Sequence, residues 1–287
     1  MNFYKSAEVL NKIYYDGDSK LKTRIDFWNR FGLSSISYSK FLKDIIDRDT
    51  YDSMIDLGCG NAFYSAKFLP KIKKEALFID VSNKILDQAK INVVKSPSLC
   101  NVCFSCDDIS KNSFQIEKKY DLILAMHVLQ HIKDIMNCLE KIKLIASKDS
   151  QIIITTYDKT LTDWINQKHY ALLRKLKFPQ YMFEKEEYLR FSGRNASALI
   201  RECFPNSNIM EFEFRNSANC YDSNALLDYY SSAMMFRMSK GIESSDISKN
   251  QWDTLYCEMK KEIKDELKKS KIISVEGNVK AFKITSL

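Results

Sequence analysis

Apolar positions recur along this chain with changing spacing, and the changes divide it. Over residues 3–47 the spacing is helical: Ala7, Val9, Leu10, Ile13 and Tyr14 share one side, Asp16-Gly17-Asp18 interrupts, and Ile25, Phe27, Trp28 and Phe31 resume it until Gly32. A third helix carries Phe41, Leu42, Ile45 and Ile46 on its apolar side, with Ser39 as its predicted cap. From Ser53 the pattern becomes short apolar runs, at 53–57, 76–80, 101–106, 120–125 and 151–156, separated by helical segments at 63–69, 82–93 and 135–145. Apolar strands joined by helical crossovers predict an α/β fold with a mostly parallel sheet flanked by helices.

After Thr156 the alternation lapses. A helix over 160–177 carries Leu161, Trp164, Ile165, His169, Leu172, Leu173 and Leu176, and Phe178-Pro179 ends it; Asn195 is placed to cap a helix running to Phe204. Residues 158–192 therefore read as a helical insertion after the fifth strand. Strands at 209–214 and 279–284 flank a helix opened by Ser223 and a long amphipathic helix marked by Trp252, Leu255, Tyr256, Met259, Ile263 and Leu267.

Chemistry enters at Met54 to Asn61, Met-Ile-Asp-Leu-Gly-Cys-Gly-Asn. An apolar strand meets Asp56, then Gly58 and Gly60, then a helix start at Ala62. Glycines there let the chain turn sharply and leave room for a ligand against the main chain, while the helix start presents free N–H groups. A dinucleotide fingerprint needs a third glycine at position 63, which is Phe63. In a parallel sheet ligands lie beyond the carboxyl ends of the strands. Those ends carry Asp56, Asp80, Asp107-Asp108 and Met126-His127. Three acidic positions on one rim point to a polar ligand, although each taken singly also fits a cap or turn.

Composition narrows the class. The 287 residues, 45% of them hydrophobic, suffice for a sizeable core, and 7 Gly with 4 Pro argue against extended disorder. No apolar run of membrane-spanning length and no signal-peptide core are visible, so the chain is read as soluble, cytoplasmic and without a membrane partner. The eight cysteines are scattered, as reduced thiols are. Cys100, Cys103 and Cys106 have metal-like spacing, but Cys103 and Cys106 fall on opposite faces of a strand read as buried, so no metal is expected. The net charge of +7, from 44 basic and 37 acidic residues, permits RNA binding but fits a solvated surface better.

The succession Asp56-Leu57-Gly58-Cys59-Gly60, Ile79-Asp80-Val81-Ser82, Cys106-Asp107-Asp108-Ile109 and Tyr120-Asp121-Leu122-Ile123-Leu124-Ala125 with Val128-Leu129-Gln130-His131 resembles the class I S-adenosylmethionine-dependent methyltransferases, strongly over residues 50–158 and loosely elsewhere. The resemblance implies a Rossmann-like seven-stranded sheet, its last two strands antiparallel at one edge, with an N-terminal helical lid over residues 1–48 and the methyltransferase domain over 49–287. S-adenosylmethionine is the implied cofactor and S-adenosylhomocysteine its product.

By this resemblance Asp80 accepts both ribose hydroxyls, Gly58 and Gly60 let the backbone approach the methionine part, and Asp107 accepts from the adenine amino group beside Asp108 and Ile109. Asp56 orients the loop or the cofactor's ammonium, and Val81 and Met126 complete the cofactor contacts. Ala62 departs from the glycine often found there. Tyr14, Tyr15, Arg24 and Trp28 in the helical preface admit two readings: amphipathic packing, or a lid in which Arg24 reaches the cofactor and Tyr15 and Trp28 the acceptor.

Methyl transfer from a sulfonium needs positioning and exclusion of water, and a base only when the acceptor must lose a proton. His131 and His127 are the candidate bases, with Gln130 beside the acceptor. His131 fits a structural role equally, and His169 reads as a packing or surface residue. The run after the fourth strand, Ala125-Met126-His127-Val128, lacks the Pro-Pro and Pro-Cys signatures of base-methylating enzymes. A small-molecule acceptor, methylated on O or N by a monomer or homodimer, is the reading reached. An RNA or protein methyltransferase, and a cofactor-binding protein without methyl transfer or a non-methylating user of S-adenosylmethionine, stand as its alternatives.

Overall fold

The structure, a computed structural model, describes residues 19–158, 164–180, 190–232 and 247–286. Its helices are α1 (Ser19–Phe31), α2 (Tyr38–Ile45), α3 (Asn83–Val94), α4 (Ile135–Leu144), α5 (Trp164–Lys175), α6 (Ala196–Cys203), α7 (Ser223–Ser232) and α8 (Lys249–Ser270). Its strands are β1 (Tyr51–Leu57), β2 (Ile72–Asp80), β3 (Asn101–Cys106), β4 (Tyr120–Met126), β5 (Ala146–Tyr157), β6 (Asn208–Phe214), β7 (Ser217–Cys220), β8 (Ile273–Glu276) and β9 (Val279–Thr285). These elements divide between two compact units, one formed by residues 36–158, 190–214 and 279–286, the other by 19–35, 164–180, 215–232 and 247–278.

The first unit is a seven-stranded sheet in the order β3-β2-β1-β4-β5-β9-β6. The first five strands are parallel, and β9 runs antiparallel between β5 and β6. Neighbouring residues along the central strands feed opposite faces. Ile55, Ile123, Ile152 and Ile154 join one core with α4 and α6, while Met54, Leu122, Leu124 and Ile153 join another with α2. Burial on both faces explains the continuous apolar runs of β1, β4 and β5. Strand order reverses between β1 and β4, both of which end on the predicted ligand rim.

Local details correct several expectations. Segment 63–69 is a 3-10 helix, Ser65–Lys71, with Pro70 inside it; the proline removes an amide donor that a longer α-helix would use. Ser37, not Ser39, caps α2, accepting from the Lys40 amide at 3.2 Å, and the Ser39 hydroxyl accepts from Lys67 Nζ at 2.7 Å instead. Beyond α2, Asp47 accepts from the buried Lys283 of β9 at 2.6 Å and from Gln151 of β5 at 2.8 Å. Asn195 precedes α6, yet its side chain accepts from the Ser192 amide and donates to Arg190 O rather than capping the helix. Strand β3 is the sheet's edge, not a buried strand, and Cys103 and Cys106 are exposed on it.

The second unit packs Phe27 and Phe31 of α1, Leu226, Leu227 and Tyr230 of α7, and Trp252, Leu255, Met259 and Ile263 of α8 into one core with α5. A capping box between Ser248 and Gln251 starts α8, and Lys271 ends it in the left-handed conformation. His169 is fully buried there, its Nδ1 2.8 Å from the Tyr230 hydroxyl, and burial pulls it down to about 3, so it is neutral. The antiparallel pair β7 and β8 belongs to this unit and was not expected; four-residue strands this far apart in sequence leave no readable period.

Candidate functional site

At the end of β1 the chain turns sharply. Gly58 and Gly60 have φ of +69° and +55°. A Cβ on Gly58 would lie 2.8 Å from the Val128 Cβ, whereas a Cβ on Gly60 would meet no protein atom within 4 Å. The backbone of Gly60 therefore faces open space. Ala62, where the glycine pattern departs, also has positive φ, +54°, a conformation glycine adopts at less cost.

Asp80, at the end of β2, holds this turn from below. Its Oδ2 accepts from the Gly60 amide at 2.9 Å and its Oδ1 from the Ser82 amide at 3.1 Å. The side chain is 2% exposed, and burial pushes it up to about 6 against those stabilising amides. Asp80 thus spans the loop and the next helix start, with Val81 half-buried between.

Asp56 lies under the same turn and differs in kind. It is fully buried, and neither carboxylate oxygen has a hydrogen-bond partner. Burial pushes it up to about 7; the nearby Ser65 hydroxyl offsets part of this, short of ordinary hydrogen-bond geometry, and Asp80 adds to it.

The edge strand β3 delivers Asp107, whose amide donates to Asp80 O at 3.1 Å while its side chain is exposed. Asp108 is tied into a turn, accepting from the Ser110 amide and hydroxyl at 3.0 and 2.6 Å. Ile109 is buried in the core beside Leu57 and Ile79.

At the end of β4, Met126 is half-buried and His127 takes φ of +54°, an uncommon conformation for a residue with a side chain. His127 Nε2 lies 3.2 Å from the Tyr38 hydroxyl, which donates to Thr155 Oγ1 at 3.2 Å. The ring also lies on Tyr157, centroids 4.3 Å apart, and Tyr64 meets Tyr38 edge-on at 4.9 Å. Burial pushes the Tyr38 hydroxyl far above its ordinary range, so it stays protonated. Tyr38 of α2 and Tyr157 of β5 thus contact the imidazole directly, while Tyr64 and Thr155 contact Tyr38. The sequence reading missed Tyr38, Tyr64, Thr155 and Tyr157; only the end of β5 at the ligand rim marked two of them.

His131 sits, half-buried, in the 3-10 turn Leu129–His131. Gln130 Oε1 lies 3.4 Å from Thr156 Oγ1, which donates to Phe191 O at 2.8 Å. Arg24 donates to Ser232 O at 2.9 Å, and Trp28 packs edge-on against Phe27 and Tyr229 within the second unit. Tyr14 and Tyr15 lie outside the described residues. Among the described residues no group of three or more His, Cys, Asp and Glu is placed to hold a metal ion, and no helix is long and apolar enough to cross a membrane.

Residues 49–220, more than half of the chain, match the family model described as a methyltransferase domain. The chain belongs to the class I S-adenosylmethionine-dependent methyltransferases. Among curated proteins it is 24% identical over 151 residues to malonyl-[acyl-carrier protein] O-methyltransferase 1 of Ilyobacter polytropus, covering 52% of this methyltransferase-family chain and 54% of that protein. It therefore spans about half the length of that relative.

Among solved structures, a Haemonchus contortus phosphoethanolamine N-methyltransferase 2 superposes with a TM-score of 0.54 at 13% identity, over 99% of this chain and 60% of that one. The [4+2]-cyclase SpnF superposes with a TM-score of 0.53 at 10% identity, over 100% and 98%. At such identities these likenesses establish the fold. One such neighbour is named for a cyclisation, so the reaction must be argued from the site.

Proposed function

We propose that this chain transfers a methyl group from S-adenosylmethionine to an oxygen or nitrogen atom of a small-molecule acceptor. The observation that carries the reading is the open face of Gly60 directly above the buried carboxylate of Asp80, at the point where strand order reverses. A cofactor with a ribose and a charged amino-acid end fits this donor set. Asp80 accepts from ribose hydroxyls, the glycine backbone borders the amino-acid end, and Asp107 with Val81 and Met126 borders the base.

When bound, S-adenosylmethionine supplies an activated sulfonium methyl, so the reaction is an in-line displacement that needs no covalent residue. The chain's own contribution is then positioning and proton acceptance. His127 takes the proton of a hydroxyl or ammonium acceptor, and Tyr38 and Tyr157 hold its ring in place. The aromatic walls from Tyr38, Tyr64 and Tyr157 exclude water from the acceptor. The O-methyltransferase name of the curated relative and the N-methyltransferase name of the structural neighbour leave both atom types in play.

Calorimetric titration with S-adenosylmethionine and with S-adenosylhomocysteine tests the cofactor assignment. Saturable micromolar binding of both is expected; binding of neither overturns it. A panel of hydroxyl and amine acceptors, read by S-adenosylhomocysteine formation, then tests the reaction.

A further inference from the structure

The two carboxylates beneath the glycine loop are treated very differently. Asp80 receives hydrogen bonds from the Gly60 and Ser82 amides, which stabilise its anion. Asp56, 0% exposed, receives none at either oxygen, and the Ser65 hydroxyl beside it is likewise buried without a partner. The groups acting on Asp56 are the Asp80 carboxylate from β2, the Ser65 hydroxyl from the 3-10 helix, and the Cys59 thiol from the loop, which burial and both carboxylates keep protonated. No lysine, arginine or histidine makes an ion pair with Asp56 among the described residues. Two buried carboxyls with no counter-charge do not both ionise readily, and the proton belongs to the one that lacks donors.

We infer that Asp56 carries a proton while the glycine loop is empty and gives it up when a ligand bearing an alkylammonium group binds over Gly58 and Gly60. The inference rests on the cofactor reading above and adds a property to it. The carboxylic acid and the cationic ligand become a carboxylate facing the cation, and one proton passes to the buffer. Because Asp56 has no exposed surface, it acts through its field across the loop rather than by contact. It is a charge-matching residue, distinct from Asp80, which the ribose engages.

The test is calorimetry on the full chain slightly below neutral pH, in phosphate and in imidazole buffer, whose ionisation heats differ. S-adenosylmethionine and S-adenosylhomocysteine, which both carry the ammonium, are expected to show buffer-dependent heats corresponding to release of most of one proton. 5′-Methylthioadenosine, which keeps the ribose and base but lacks the amino-acid end, is expected to bind with buffer-independent heat. Asp56→Asn is expected to bind both cationic ligands with no proton released. The ligand comparison on the unaltered protein needs no folded variant. Equal release with methylthioadenosine assigns the proton to Asp80 and overturns the inference. Binding with buffer-independent heat throughout overturns it while leaving the cofactor reading intact, and absence of binding overturns both.

Discussion

Replacing Gly58 and Gly60 by alanine, one at a time, separates the loop's own geometry from the room it leaves for a ligand. Both glycines have positive φ, where a side chain costs about 1–2 kcal/mol. At Gly58 the new Cβ also falls 2.8 Å from the Val128 Cβ, and Val128 packs against the core. Overpacking of that kind adds about 1–3 kcal/mol. Gly58→Ala should therefore destabilise the ligand-free protein by roughly 2–5 kcal/mol, a large share of an ordinary domain's stability. Gly60→Ala meets nothing within 4 Å and should cost only the backbone part, about 1–2 kcal/mol. Urea denaturation measures both. Calorimetry should then show the reverse ranking: folded Gly60→Ala loses at least about ten-fold in S-adenosylmethionine affinity, because its methyl occupies the ligand's space. If the two variants are equally unstable, the Val128 contact does not limit the turn. If Gly60→Ala binds as well as the unaltered protein, the cofactor does not lie over Gly60.

Asp80→Ala should weaken S-adenosylmethionine binding about ten-fold or more, as expected for a lost charged acceptor; unchanged affinity in calorimetry removes Asp80 from the ribose. Tyr38→Phe and His127→Ala should each lower turnover while leaving cofactor affinity within about two-fold, since neither lies on the glycine loop; turnover equal to the unaltered protein removes the pair from the chemistry. Gly277→Ala puts a Cβ 2.5 Å from Trp28 Cη2 in the second unit and should cost about 1–3 kcal/mol, read by thermal unfolding; an unchanged melting temperature refutes that packing. For pH, burial raises Asp56 from 3.8 to about 7, so between those values the folded state holds a proton the unfolded state has lost, and stability falls as pH rises through that window. The loss is at most roughly 4 kcal/mol. Urea denaturation at about pH 5 and about pH 7.5 without ligand should show Asp56→Asn losing less stability than the unaltered protein; parallel losses refute the buried-acid account.

The parallel half of the sheet was legible because burial on both faces forces continuous apolar runs, and β1, β4 and β5 are central strands. The same rule misled at β3, whose Val102 and Phe104 are only half-buried at an edge. Its apolar content does not distinguish a strand covered on two faces from one that ends the sheet. The pair β7 and β8 left no trace for a different reason. A four-residue strand is too short to establish a period, and its partner lies more than 50 residues away. Ser39 was misassigned because two serines flank the start of α2, and the choice between them is made by Lys67, a residue the local sequence does not contain.

The site divides along the same line. The places of Asp56, Gly58, Gly60 and Asp80 at strand ends were readable because the chain's own order specifies them. His127 was readable only as a candidate, because what distinguishes it from His131 is supplied from elsewhere: the Tyr38 hydroxyl from α2, Thr155 and Tyr157 from β5, and its own left-handed backbone. An uncommon backbone conformation and three side chains position this imidazole more closely than any spacing in the sequence implies. That is why the acceptor chemistry is proposed for His127, and why its removal together with Tyr38, rather than that of His131, is the decisive perturbation. A double variant no worse than His127→Ala alone would mean that Tyr38 acts only through this ring.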